Sequence, residues 1–215
     1  LEFTPEDFNG SSAMFSLTQN DYTKAMYPFD FKFTVRYTLK ADGITVTYRV
    51  RNDSDAEMPF CIGAHPAFAT PGDMNGYRLQ FLRPETAAVP NYNLETGLHE
   101  EHNRRELMKD STDLQLSHEM FYEDVCYFDK VTSRQVELLN SENIGVRVDY
   151  PDFTSLGVWQ AKDAPFLCIE PWCGSADFDD CSGVFAEKRG IEILAPGAEK
   201  TFTYAITAVE HKAKV

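Results

Sequence analysis

The 215-residue sequence predicts an all-β protein, one domain over residues 1–215 built as a sandwich or barrel. Three observations carry that expectation. Strict period-two alternation runs through FDFKFTVRYTLKADGITVTYRVRN, short apolar runs recur between turn residues, and helical periodicity is scarce. Hydrophobic residues make up 43% of the chain and aromatics 13%, which is enough to fill a core and too much for wholesale disorder.

The first apolar run is AMFSLT. Next, Phe31, Phe33, Val35, Tyr37 and Leu39 alternate with Lys32, Thr34, Arg36, Thr38 and Lys40, the pattern of a half-buried strand. Asp42-Gly43 then suits a tight two-residue hairpin turn, and Ile44, Val46, Tyr48 and Val50 share one face of the returning strand. Pairing Ala41 with Ile44 sets Leu39 against Val46, Tyr37 against Tyr48 and Val35 against Val50, at the cost of facing Arg36 with Arg49. Further strand candidates are GYRLQFL, QVELL, IGVRVDY, SLGVWQ, PFLCIE and KTFTYAITAV, punctuated by Pro71-Gly72, Pro151-Asp152 and Pro196-Gly197. DLQLSHEMFYEDV has room for one short helix capped by Ser117, while LHEEHNRRELMKD reads as a polar excursion.

Charge and cysteine content narrow the function. With 34 acidic against 20 basic residues the formal net charge is -14, so the surface repels phosphate backbones and a nucleic-acid partner is not expected. No apolar run is long enough for a membrane span. Five cysteines, an odd number without a C-x-x-C pair, suit reduced thiols in a cytoplasmic protein.

Two short stretches carry chemistry: MPFCIGAHPAFATP around His65 and LCIEPWCG around Glu170. Each of these residues precedes a proline, which holds it in extended backbone, and each follows an apolar run. A partly desolvated His and Glu at strand ends can act as an acid–base pair. The residues alone leave the plainer reading open, in which His65 bonds a strand-end carbonyl and Glu170 a surface arginine. The H-x-x-H spacing of His99 and His102 lies in the charged excursion and reads as solvated rather than as a zinc site. Asp177, Asp179 and Asp180 in ADFDDCSG read as a solvated turn, without the spacing of a calcium loop.

YPFDF, IGAHPAF, APFLCIEPWCG and LAPGAEKTFTYAIT occur in that order from Tyr27 to Thr207. This ordered set resembles the aldose 1-epimerases (mutarotases), most closely the bacterial branch associated with lactose operons. The resemblance implies a large antiparallel β-sandwich with a site for a free aldose, needing no metal or cofactor. In that site His65 would be the general acid and Glu170 the general base, with Asp124 directed at sugar hydroxyls. Trp159 and Trp172 could offer apolar faces to sugar C–H groups, although the buried run beside Trp172 leans it toward the core. The family also has an upstream HGF-type segment with a nearby arginine, so the resemblance implies a sandwich lacking its N-terminal portion, and an open edge would suit a homodimer. Two alternatives share the scaffold: a non-catalytic sugar-binding protein, and a hexose-phosphate epimerase. The latter needs a basic cluster, for which Arg104-Arg105 and Lys188-Arg189 are the adjacent pairs.

Overall fold

The structure, a computed structural model, describes residues 1–212. Strands β1 (Thr4–Asn9) and β2 (Ser12–Thr18) form a hairpin; helix α1 (Asp21–Met26), β3 (Phe31–Leu39) and β4 (Gly43–Asn52) follow. Three short strands come next: β5 (Met58–Phe60), β6 (Ile62–Gly63) and β7 (Ala67–Ala69). A long hairpin pairs β8 (Tyr77–Asn93) with β9 (Leu98–Gln115). The path closes with β10 (Cys126–Phe128), β11 (Gln135–Asn140), β12 (Ile144–Asp149), β13 (Ser155–Trp159), β14 (Phe166–Cys173), β15 (Glu192–Leu194) and β16 (Glu199–Glu210). No helix among the described residues is long and apolar enough to cross a membrane.

A nine-stranded antiparallel sheet runs in the order β1-β2-β3-β4-β16-β12-β11-β8-β9. A five-stranded sheet, β10-β13-β14-β6 with β7 also on β14, packs against it, and β5 and β15 form a separate ribbon. Alternation explains the layer between the sheets. Leu79, Phe81, Val136, Leu138, Val148 and Phe202 of the large sheet are buried in one cluster with Leu156, Val158, Leu167 and Ile169 of the small one. Each such side chain contributes about 1.5–3 kcal/mol by leaving water. The Phe81 and Phe128 rings, one from each sheet, lie 5.6 Å apart.

The first hairpin departs from the expected register. Leu39 faces Ile44, Tyr37 faces Val46, Val35 faces Tyr48 and Phe33 faces Val50. The arms have slid by two residues, which keeps every apolar side chain on its expected face. Neither Asp42 nor Gly43 has the positive φ that the two-residue turn requires. Gly43 instead serves the neighbouring strand, because a Cβ there would run into the Ile206 carbonyl oxygen of β16. The slip also separates the two arginines. Arg36 now faces Thr47 and reaches Asp7 at 3.3 Å, while Arg49 faces Thr34 and reaches Glu199 at 3.3 Å.

The polar excursion proves to be a strand. LHEEHNRRELMKD lies within β9, paired to β8 with register shifts between Gln80 and Glu85, on either side of Ala87, and between Pro90 and Asn91. These irregularities bend the hairpin, so its base pairs in the large sheet and its far end reaches the small one. Glu85 anchors the bend: its carboxylate accepts from the backbone and hydroxyl groups of Thr132 and Ser133 at 2.7–3.2 Å. The expected short helix shrinks to a 3₁₀ turn over His118–Phe121, where Ser117 is the N-cap without a side-chain cap bond.

The role of Gly43 generates a prediction. Gly43→Ala should cost about 1–3 kcal/mol in denaturant-induced unfolding. Gly10→Ala, with nothing within 4 Å of the new carbon, should stay within about 0.5 kcal/mol of the parent.

Candidate active site

Strand β14 is flanked by β13 on one side and by β6 and β7 on the other. Its side chains divide by period two. Leu167 and Ile169 enter the core, whereas Cys168, Glu170 and Trp172 emerge on the opposite face. Gly63 faces Trp172 and Ala67 faces Cys168, so the same register sets His65 opposite Glu170. Two backbone bonds hold that position: Ala64 N–H donates to the Pro171 carbonyl at 3.0 Å, and Ile169 N–H donates to the Pro66 carbonyl at 3.2 Å. His65 Nε2 lies 3.5 Å from Glu170 Oε2. The pair is asymmetric, with the His65 side chain 63% exposed and that of Glu170 only 3%.

Five residues singled out in the sequence meet here. A cavity of about 280 Å³ is lined by His65, Asp124, Trp159, Glu170 and Trp172, joined by Tyr92, Val125, Ala176 and a further residue, His99. An adjoining hollow of about 390 Å³ shares His65, Glu170 and Trp172, so the pair stands on the divide between the two. These volumes are near the lower end for small-molecule sites. Asp124, in the bend that follows the 3₁₀ segment, holds a left-handed backbone, φ 80°, which is costly for a residue with a Cβ. The Trp159 ring meets the His65 ring edge-on at 6.0 Å.

Trp172 is not a core residue, contrary to its sequence leaning. It is half-buried on the cavity face, and its indole occupies the space that Gly157 and Gly63 leave on the neighbouring strands. A Cβ on Gly157 would come within 2.9 Å of the ring, and one on Gly63 within 2.5 Å.

Burial dominates the electrostatics. It pushes the Glu170 carboxyl up to about 7; the positive charge of His65 and the Trp172 indole N–H draw it down, and the charge of Asp124 adds to the rise. The thiol of Cys168 is likewise raised to about 11, first by burial and then by Glu170. Ligand atoms of His65, Cys168 and Glu170 lie within 4.8 Å of one another, so this trio is where a metal ion could be held among the described residues. Chemically, an imidazole open to a ligand beside a shielded carboxylate can exchange protons with a bound molecule in either direction.

His99 was expected to be solvated and is fully buried instead. Its ring stacks on Tyr127 at 4.9 Å and packs against Phe178 at 5.1 Å and Tyr92 at 5.3 Å. Phe178 itself, within the supposed solvated turn, is buried, and the turn is stitched to β9 by His99 N–H donating to the Asp177 carbonyl and Asp179 N–H to the His99 carbonyl. The apolar frame around His99 therefore comes from segments distant in the chain.

Comparison with known proteins decides the family. Residues 2–207 match the family model described as aldose 1-epimerase. The chain belongs to the aldose 1-epimerase family. Among its relatives, the chromosomally encoded LacX protein of Lactococcus lactis subsp. lactis is 32% identical over 213 residues, which cover 96% of this chain and 71% of LacX. A galactose mutarotase related enzyme from Lactobacillus acidophilus superposes with a TM-score of 0.89 at 27% identity, over 99% of this chain and 74% of that one. A galactose mutarotase-like protein from Lactobacillus casei shares the fold, with a TM-score of 0.83 at 23% identity, over 97% and 73% of the two chains.

A stability prediction follows from the burial of Glu170. Because its pKa is raised on folding, the native state holds a proton that the unfolded chain releases, so Glu170 weakens the fold as pH rises from its unfolded value toward 7. Glu170→Gln should match the parent in thermal stability near pH 4. By pH 8 it should be more stable by about 1–3 kcal/mol, as read from paired melting curves across that range.

Proposed function

We propose that this chain is a mutarotase, interconverting the α and β anomers of a free aldose by acid–base opening of the pyranose ring. The observation that carries the reading is the His65–Glu170 pair, 3.5 Å apart at the cavity divide. Glu170 removes the proton of the anomeric hydroxyl while His65 protonates the ring oxygen. The C1–O5 bond breaks and leaves an open-chain aldehyde. After rotation about C1–C2 the hydroxyl oxygen attacks the other face of C1, and both protons return by the same residues in reversed roles. A carboxylate raised to about 7 is a stronger base than an exposed one and still ionises near neutral pH, which suits proton transfer in both directions. Trp159 and Trp172 present apolar faces to the C–H surface of the sugar, and Asp124 accepts from a hydroxyl.

The basic pairs favour a free sugar over a phosphorylated one. Arg104 forms ion pairs with Glu101 and Asp129, Arg189 with Glu101 and Asp180, and Lys188 with Asp177. Arg105 donates to the Met120 carbonyl. None of these four residues lines the cavity of the His65–Glu170 pair. All five cysteines are unpaired, which supports a reducing, cytoplasmic setting.

Anomeric exchange measured by NMR saturation transfer on a panel of free aldoses and hexose 6-phosphates tests the proposal. Exchange should exceed the spontaneous rate for at least one free aldose, and Glu170→Gln should lower it by about 10²–10⁴-fold. No enhancement over a protein-free control for any sugar would overturn the reading.

The pH profile adds a separate check. kcat/KM should climb with pH along a limb centred near 7, as Glu170 ionises. In Asp124→Asn the limb should move to lower pH, because the lost negative charge no longer holds the Glu170 proton. In Trp172→Phe it should move the other way.

A further inference from the structure

The most anomalous side chain in the cavity is His99, not either member of the acid–base pair. It is fully buried, yet neither Nδ1 nor Nε2 has a hydrogen-bond partner. Leaving a polar group buried and unpaired opposes folding, and His99 does so twice. Histidines elsewhere in the chain behave differently: His118 Nδ1 lies 2.8 Å from Gln160 Oε1, and His211 Nε2 lies 2.6 Å from Glu137 Oε2. The surroundings of His99 offer no substitute, because Tyr92, Tyr127 and Phe178 present their rings to it. An apolar side chain would fill the same space at less cost. Burial drives the pKa of His99 down to about 4, so the ring is neutral at physiological pH and carries one donor and one acceptor.

A hydroxyl group has the matching character, able to donate and accept at once. His99 lines the same cavity as His65, Glu170 and both tryptophans, at a wall built by the far end of the β8–β9 hairpin, where Tyr92 and His99 are register partners. We infer that His99 is a specificity-determining residue that reads one ring hydroxyl of the sugar at the inner wall of this cavity. The inference rests on the mutarotase reading for its ligand class. The ring presents no surface to water, and Tyr92, which packs edge-on against it and lines the same cavity, is the side chain whose displacement would admit a hydroxyl. An intruding ligand that lacks the hydroxyl leaves both nitrogens unpaired, and this is how such a site discriminates.

The test compares wild type with His99→Phe and His99→Gln on the best aldose and its 2-, 3-, 4- and 6-deoxy analogues. Anomeric exchange and thermal stability are both measured. Wild type should discriminate against one deoxy analogue by about 10–100-fold in kcat/KM. His99→Phe should process the parent sugar and that analogue at similar rates, and should melt at a higher temperature than wild type. His99→Gln, which keeps a donor and an acceptor, should retain part of the discrimination. If His99→Phe lowers the melting temperature and leaves every deoxy ratio unchanged, His99 is a packing residue and the inference fails. Absence of exchange by wild type would instead sink the mutarotase reading. The same deoxy ratios would then be read as saturation-transfer contacts of bound sugar, and equal contacts in wild type and His99→Phe, or none in either, would overturn the role of His99 as well.

Discussion

The two-residue period of strand β14 is the constraint on which the rest of the site depends. One set of its side chains, Leu167 and Ile169, belongs to the layer between the sheets, and the other, Cys168, Glu170 and Trp172, belongs to the cavity. Hydrophobic burial fixes the first set, and the pleat then leaves the second no freedom of direction. Pairing on both edges of β14 removes the remaining slack, so the carboxylate cannot leave its low-dielectric position to find water. His65 inherits its placement from the same ladder, through the bonds of Ala64 and Pro66 to β14. Burial of the carboxylate, its raised proton affinity and the nearby imidazole are thus consequences of one strand's alternation.

Two buried glutamates show how far the protein could have gone in the other direction. Glu85 accepts hydrogen bonds from Thr132 and Ser133, and these overcome the effect of burial and hold its carboxyl below the usual range. Glu170 has little such support and ends above that range. The first is a structural anchor at a bend, ionised and passive. The second keeps an affinity for protons that only a poorly solvated carboxylate can have. His99 repeats the contrast among the histidines, with its two unpartnered nitrogens. Among the described residues the other unpartnered buried polar atoms belong to Thr70, Asn91 and Arg105, and His99 is the residue of that group that lines the cavity.

Strands whose two faces see different solvents were legible in the sequence. The alternation of Phe33, Val35 and Tyr37 with Thr34 and Arg36 marks β3 because one side meets the core and the other meets water. β9 was not legible, since its bulges break the period and charged residues cover its outer face. The hairpin register was misread because Gly43 looks like turn chemistry, whereas its missing side chain answers to Ile206, more than 160 residues away in the chain. In the site, the prolines after His65 and Glu170 signalled fixed, extended backbone, and the resemblance supplied the pairing. His99 carried no local signal, because Tyr127 and Phe178 reach it only through the fold.

The β8–β9 hairpin works as a beam held at both ends. Its root is clamped in the nine-stranded sheet, its shaft is bent by irregular pairing around Glu85, and its far end, stitched to Asp177 and Asp179, walls the cavity through Tyr92 and His99. Residues at such a tip can change length and identity without disturbing the clamp, since the turn joining them, Leu94–Gly97, lies outside both strands. Change at the tip can therefore alter one wall of the cavity while Glu170 on β14 and His65, between β6 and β7, stay in place. One wall of the cavity and the His65–Glu170 pair thus sit on separate mechanical parts of the fold.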